Sequence, residues 1–245
     1  MRSTLFLLLA SYVLIAASES GLEEGPISYG VDISWPIHRT NVSSNYPWLP
    51  HNLDPNNTPT PLQYQNMSLA VLGDRQSMYN KYMKGCNDHY PGRGPVCSYT
   101  ESDRIAMNSR QPASMQNYTD TGFKKIKCPS KVFSLIKEFW DKNQMKRKKE
   151  EWFAGSIYTN HWESPTHMVS VDDASLRGGG IQLKQAIWDA ARETLEQWTG
   201  QELTECSLYG IRIYEEGAIL APHCDRLPLV SSGIINVAQD VDEPW

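Results

Sequence analysis

Two short runs of β-branched and aromatic residues near the end of this 245-residue chain constrain its fold more than any other feature. The first run, Leu208–Tyr214, is rich in Ile and Tyr, and the second, Gly233–Ala238, is rich in Ile and Val. Such residues suit a pleated, half-buried surface, so we predict a β-strand in each run. The triplet His223-Cys224-Asp225 lies between them. We therefore expect this triplet at the end of a strand.

The spacing of His223 and Asp225 is typical of a metal site. In an extended segment, residues two apart point to the same side, so both side chains can reach one ion. An imidazole nitrogen and a carboxylate oxygen are two of the three donors in the facial triad that holds Fe(II) and leaves positions open for chemistry. Read in isolation, the same triplet also fits a strand cap with an incidental carboxylate.

The residues before the triplet extend the pattern. Tyr214, Gly217 and Pro222 precede His223 in the order Y-x-x-G-x-x-x-x-P-H-x-D. This stretch resembles the metal-binding segment of Fe(II)/2-oxoglutarate-dependent oxygenases of the prolyl 4-hydroxylase type (the alpha subunit catalytic domain). The resemblance implies that His223 and Asp225 bind iron and that Tyr214 belongs to the 2-oxoglutarate pocket.

The family resemblance also implies a fold and a reaction. The expected fold is α+β: a double-stranded β-helix, related to the jelly roll and the cupins, with amphipathic helices before it. The expected reaction is the hydroxylation of a peptidyl residue, proline at the family level, with Fe(II), 2-oxoglutarate and ascorbate as cofactors and O₂ and a protein or peptide as partners. One position departs from the pattern. The collagen-type enzymes often have a Tyr three residues before the His, where this chain has Leu220.

The specific resemblance covers Leu208 to Trp245. In the family, a second His and a basic residue that pairs with 2-oxoglutarate follow well downstream, and this sequence ends at Trp245 before either of them. We therefore expect residues 126–245 to be the N-terminal part of an oxygenase domain that is inactive as this chain alone. The alternative is a non-catalytic secreted glycoprotein or binding module on a jelly-roll frame.

The first residues predict a secretory leader. Residues 1–20 combine a charged start at Arg2 with an apolar stretch, Leu5–Ala17, and small residues after it. The apolar stretch is shorter than the roughly 20 residues that a membrane span needs. The alternative is an uncleaved signal anchor, and no other segment is predicted to cross a membrane. Residues 21–125 are expected to be irregular and rich in glycosylation sequons, and Gly21–Pro61 is either an ordered arm or disordered.

Glycosylation sequons and cysteines support an oxidising compartment, the endoplasmic reticulum lumen or the exterior. Four Asn-x-Ser/Thr acceptors follow the leader, at Asn41, Asn56, Asn66 and Asn117. Among five cysteines, Cys86 and Cys97 bracket a short Pro/Gly-rich loop, so we predict a disulfide between them. Cys224, inside the H-x-D triplet, is expected to be a free thiol.

Four helical stretches are predicted before the strands. The first is Arg75–Lys84, with Gly85 as its stop, and one or two further turns follow in Thr100–Met107. A third helix begins at Pro129, and its end is expected to be solvated, with Lys146 pairing with Glu150. The fourth is ended by Gly200. The apolar stripes of the last two helices are Val132, Phe133, Ile136, Phe139 and Trp140 in one and Leu183, Ile187, Ala191, Leu195 and Trp198 in the other.

The last two helices are expected to pack on the outer face of the sheet. His161 and His167 precede the H-x-D, against the family's ligand order, and we interpret both as exposed or hydrogen-bonded loop residues. The net charge is −5 and Lys and Arg form no dominant basic surface in the sequence, so we predict no nucleic-acid partner.

Overall fold

The computed structural model describes residues 3–9, 14–15, 76–116, 118–119, 122 and 124–242. Within these residues the protein is α+β, as predicted, with four α-helices and one six-stranded sheet. In chain order the elements are β1 (Ser3–Leu9), β2 (Leu14–Ile15), α1 (Gln76–His89), α2 (Val96–Ser114), α3 (Ser130–Asn143), a 3₁₀ turn (Gln144–Lys146), β3 (Lys148–Lys149), β4 (His167–Ser170), α4 (Ile181–Thr199), β5 (Gly210–Glu215) and β6 (Gly233–Gln239).

The sheet is open and mostly antiparallel. Its strand order is β2-β6-β1-β5-β4-β3, and the short β2 is parallel to β6 whereas all other neighbours are antiparallel. The two strands predicted from the sequence, β5 and β6, are confirmed to within two residues at each end. Among the described residues the sheet does not close into a barrel, so the double-stranded β-helix stays a prediction.

Strand β1, inside the predicted leader, is the neighbour that β5 and β6 share. It runs antiparallel to both, from Ser3 opposite Glu215 to Leu8 opposite Gly210 on one side, and with Leu9 opposite Gly233 on the other. The sequence did not indicate a strand here. The apolar residues that are typical of a leader also have the β-branched or large side chains that a sheet accepts, so composition alone does not separate the two.

The core lies between the sheet and helices α3 and α4. Both predicted apolar stripes face it, with Val132, Ile136 and Ile187 fully buried. They pack with inward-facing residues of the strands, namely Val169, Ile211, Ile213, Ile235 and Val237. Helix α4 ends where the sequence predicts, because Gly200 takes a left-handed conformation (φ 66°) and its N–H bonds to the Glu196 carbonyl. The predicted packing of two helices on a sheet is confirmed.

Helices α1 and α2 both lie within residues 21–125, the region expected to be irregular and rich in sequons. The predicted stop at Gly85 is wrong, since α1 continues to His89. A Cβ at Gly85 would lie 2.5 Å from the Trp162 indole nitrogen, so the glycine allows close packing instead of ending the helix. Helix α2 is longer than predicted. Its buried face is polar, with Glu101 and Arg104 almost fully buried, so the sequence shows no apolar stripe that would indicate the full length of the helix.

The predicted Lys146–Glu150 pair is also wrong. Helix α3 ends at Asn143, whose side chain bonds to the Phe139 carbonyl and to both backbone groups of Arg177. The chain then turns into β3, and Glu150 pairs with Arg212 of β5 instead. The side chain of Asn143 therefore stops the helix and fixes the loop before α4.

Two predictions concern residues outside the described part. The arm Gly21–Pro61 lies there, and so do the acceptors Asn41, Asn56, Asn66 and Asn117. In the part of the chain that the structure describes, no helix is long and apolar enough to cross a membrane.

Candidate metal centre

The H-x-D triplet lies in the connection between β5 and β6, not on a strand end as predicted. The connection is nevertheless held in an extended form just before the triplet. Leu220 makes an isolated antiparallel bridge with Thr159, and the Ala221 N–H donates to the Tyr158 carbonyl at 2.8 Å. The segment around Tyr158 thus acts as a short partner strand that aligns the approach to His223.

The two predicted ligands face each other. The His223 Nε2 lies 3.8 Å from the Asp225 Oδ1, and the two side chains are 25% and 30% exposed. Two donor atoms that each lie about 2.1 Å from a shared ion are at most about 4.2 Å apart. The observed separation is within this limit, so the distance alone permits both atoms to reach one ion.

The ring of His223 is fixed in the tautomer that a metal ligand needs. Its Nδ1 lies 2.8 Å from the Ala221 carbonyl oxygen. A carbonyl only accepts, so Nδ1 carries a proton, and in the neutral ring Nε2 then keeps its lone pair. Metal-binding histidines are commonly oriented by such a backbone carbonyl. The Tyr158 ring packs edge-on against the imidazole, at 5.6 Å between centroids, and limits its rotation.

Asp225 is oriented in the same way. The Ser232 hydroxyl donates a hydrogen bond to Oδ2, which leaves Oδ1 as the oxygen nearest His223. The residue between the two ligands, Cys224, is not disulfide-bonded, as expected. Burial, and then the charge of Asp225, raise the pKa of this thiol to about 11, so it is protonated at neutral pH.

A buried ion pair lies directly behind the triplet. Arg104 of α2 is fully buried and bonds to Glu101 through Nε and Nη2, at 2.8 and 2.7 Å. Its Nη1 donates to the carbonyl of Pro222, the residue before His223, at 2.5 Å. Sequence reasoning missed this contact. A Glu and an Arg three residues apart are common on exposed helices, and nothing in the spacing indicates that this pair is buried.

Tyr214, the predicted 2-oxoglutarate residue, belongs to a second polar cluster on β5. Its hydroxyl lies 3.5 Å from Nη1 of Arg212, and Arg212 forms a two-point ion pair with Glu150. Burial raises the pKa of the Tyr214 phenol, so the hydroxyl stays neutral. The Arg212 guanidinium also lies over the Trp152 ring, at 5.7 Å from its centroid. The contacts described for Tyr214 are therefore to Arg212 and not to the H-x-D triplet.

Two other histidines, His161 and His167, precede the motif in the sequence. His161 is buried, donates from Nδ1 to the Thr159 carbonyl and accepts from the Tyr90 hydroxyl at Nε2. This agrees with the predicted hydrogen-bonded loop residue. His167 begins β4 and so is not in a loop. Within the described ranges no three His, Cys, Asp or Glu side chains form a metal-binding group, and the centre there consists of two donors.

Cys86 and Cys97, the other predicted site residues, are joined in a disulfide with a Cα–Cα distance of 6.2 Å. It links the C-terminal part of α1 to the start of α2, and both cysteines are fully buried. They pack with Tyr82 and Ile157 in a small core of their own.

Comparison of the chain with models of protein families, with characterised proteins and with solved structures gives no match.

Proposed function

We propose that this chain contributes the His-x-Asp half of an Fe(II) site in a 2-oxoglutarate-dependent oxygenase of the prolyl 4-hydroxylase type. The observation that carries the proposal is the pair of facing donor atoms, the Nε2 of His223 and the Oδ1 of Asp225, each held by a hydrogen bond on its other side. A structural cap would need neither the tautomer of His223 nor the exposure of both donors. Together these features favour a ligand role.

The residues around the donors have defined tasks in this proposal. The Ala221 carbonyl and the Tyr158 ring hold the imidazole, and Ser232 holds the carboxylate. Bound Fe(II), with 2-oxoglutarate and O₂, would supply the oxidising chemistry that hydroxylates an unactivated C–H bond. Following the family resemblance, the substrate is a peptidyl residue, proline in the first place, and ascorbate is a cofactor. The double-stranded β-helix is the fold that goes with this reaction.

The remaining parts of the site are assigned by resemblance. By this resemblance the site also needs a second His and a basic partner of 2-oxoglutarate, and Tyr214 is placed in the 2-oxoglutarate pocket. The Arg212 contact keeps the Tyr214 hydroxyl ordered on β5, which supports a role on the polar face of the sheet. The alternative function is a non-catalytic binding module, and its support is the two-donor set in the described residues.

Succinate formation tests the proposal. Residues 1–245 alone, with Fe(II), 2-oxoglutarate and ascorbate, should give no turnover. The product of the full transcript, including whatever follows Trp245, should form succinate with a proline-rich peptide. His223→Ala or Asp225→Ala should abolish it, whereas His89→Ala, at an exposed position on α1, should not. Succinate formation by the His223→Ala protein would show that the metal lies elsewhere.

The compartment is part of the same proposal. The leader and the four sequons support a protein of the endoplasmic reticulum lumen or the exterior. Expression in a eukaryotic cell should give a product whose gel mobility increases after treatment with an N-glycosidase. Replacing Asn41, Asn56, Asn66 and Asn117 together with Gln should remove that shift. A protein with unchanged mobility would contradict this placement.

A further inference from the structure

A buried path of contacts connects helices α1 and α2 to the metal motif. The Tyr79 hydroxyl of α1 donates to Glu101 at 3.0 Å, and Glu101 pairs with Arg104 on α2. Arg104 then donates to the Pro222 carbonyl. The path lies outside the stretch that resembles the oxygenase motif, yet it ends one residue before His223.

The burial of the Arg104–Glu101 ion pair indicates a role for Arg104 beyond stability. The side chains of Arg104 and Glu101 are 0% and 6% exposed. The desolvation of a fully buried ion pair offsets most of its Coulomb attraction, so an apolar pair of similar volume is often equally stable. Stability alone therefore does not account for a guanidinium at this position. The fixed geometry of the guanidinium donors accounts for it, because Nε and Nη2 hold Glu101 while Nη1 holds the Pro222 carbonyl.

Arg104 holds the peptide unit next to the one on which the His223 geometry depends. The Ala221 carbonyl accepts from the His223 Nδ1, and the next carbonyl, that of Pro222, accepts from Arg104. On the other side, the Ala221 N–H donates to the Tyr158 carbonyl. The peptide units before and after the Ala221–Pro222 unit are thus fixed by partners from different parts of the chain. A rotation of this segment would move the carbonyl that selects the tautomer of His223.

Resting on the proposed function, we propose that Arg104 is a positioning residue for the metal ligand His223. It acts through the Pro222 carbonyl, with Glu101 keeping its guanidinium in place. The disulfide-linked pair of helices then has a specific role, which is to present Arg104 to the H-x-D segment.

The test reads the tautomer of His223 directly and needs no metal. In ¹⁵N-labelled full chain at about pH 8, long-range ¹H–¹⁵N spectra distinguish a protonated Nδ1 from a protonated Nε2. The wild-type protein should show His223 with the proton on Nδ1. The variant Glu101→Gln/Arg104→Met removes both buried charges together, so that neither is left unpaired, and should show a mixture of tautomers.

Two further variants separate positioning from loss of stability. Arg104→Lys keeps the charge opposite Glu101 but lacks the fork that reaches Pro222, so it should also shift the His223 signals. Ile187→Ala removes a buried side chain from α4, away from the motif, and should lower the melting temperature with the His223 signals unchanged. If both Arg104 variants fold and keep the wild-type tautomer, the positioning role is wrong.

Metal affinity gives a second readout that tests the proposed function separately. Co(II) titration of the full chain should show a site that His223→Ala removes, and the Arg104 variants should weaken it about tenfold to a hundredfold. If wild-type protein binds no Co(II) but the tautomer changes in the variants, the proposed function fails and the positioning role stands. Unchanged affinity together with an unchanged tautomer overturns the inference.

Discussion

The guanidinium of Arg212 pairs with both carboxylate oxygens of Glu150, 62 residues earlier in the chain: Nε lies 2.7 Å from Oε2 and Nη2 lies 2.9 Å from Oε1. The hydroxyl of Thr166, the residue just before β4, donates a hydrogen bond to the same carboxylate at 2.5 Å. This pair ties the central part of the sheet to the segment after β3. It also explains why Glu150 is directed inward when its neighbours Lys149 and Glu151 are exposed.

Breaking this ion pair should be costly. Its side chains are only 10% and 13% exposed, so Arg212→Met would leave the Glu150 carboxylate largely buried without its cation. We expect a loss of about 3 kcal/mol in the free energy of unfolding, measured by urea denaturation. The double variant Glu150→Gln/Arg212→Met should recover most of the loss.

A matched exposed pair provides the control. Glu138 and Lys142 form an i,i+4 pair on α3 with both side chains about half exposed, and Glu138→Gln should change stability little. If Arg212→Met is as mild as Glu138→Gln, then the Glu150 contact does not hold the sheet together as described.

The Cys86–Cys97 disulfide should stabilise the helical pair α1 and α2. It closes a loop with a sequence separation of 11, which corresponds to about 3 kcal/mol on the chain-entropy model. We expect Cys86→Ala/Cys97→Ala to lower the free energy of unfolding by about that amount. Peptide mapping without reductant should recover the linked pair from secreted protein. Two free thiols at these positions would contradict the assignment.

Strand β1 lies within the predicted leader, so removal of the leader should change the sheet. β5 and β6 each pair with β1, and in the described residues they do not pair with each other. A chain that begins at Gly21 should therefore expose the inner edges of both strands and associate with other copies through them. Size-exclusion chromatography with light scattering should show self-association, and the backbone N–H groups of β5 should exchange faster with solvent. A monomeric short chain with wild-type exchange would show that β1 is dispensable.

A point variant tests the same strand without shortening the chain. Leu7 lies opposite Ile211 on one side and Ile235 on the other. Leu7→Pro removes a backbone N–H from a strand that is paired on both edges and should disrupt the sheet. Leu7→Ala keeps that N–H and is the matched control for losing the side chain. Equal stability of the two variants would argue against β1 as an interior strand.

The sequence predicts best the elements with a regular apolar period or a strongly β-branched and aromatic composition. Helices α3 and α4 have such a period, strands β5 and β6 have such a composition, and Gly200 marks the end of α4. Helix α2 was predicted only over the turns at Thr100–Met107, because polar residues occupy its buried face, where they satisfy one another. The stop at Gly85 was misjudged because the glycine makes room for Trp162. Gly85 and Trp162 are far apart in the sequence, so their contact produces no periodic pattern from which it could be predicted.

The candidate site was likewise predicted only in part. His223 and Asp225 were identified from spacing, since two donors two residues apart in an extended segment must point to one side. Their supporting residues were not identified. Arg104 lies 118 residues before Pro222 in the chain, and Ser232 resembles any other loop serine. Tyr214 was assigned from the motif, and its contact with Arg212 emerges only when β5 is seen beside the Glu150 segment.

Metal-directed cleavage tests the central claim most directly. The full chain, loaded with Fe(II) and treated with ascorbate and hydrogen peroxide, should be cut beside the bound ion, and mass spectrometry of the fragments locates the cut. We predict cleavage within Ala221–Arg226 and at the adjoining Tyr158 segment. His223→Ala should abolish it, and His89→Ala should leave it unchanged. Cleavage that persists in the His223→Ala chain, or that maps only to other segments, would contradict the assignment of His223 and Asp225 as iron ligands.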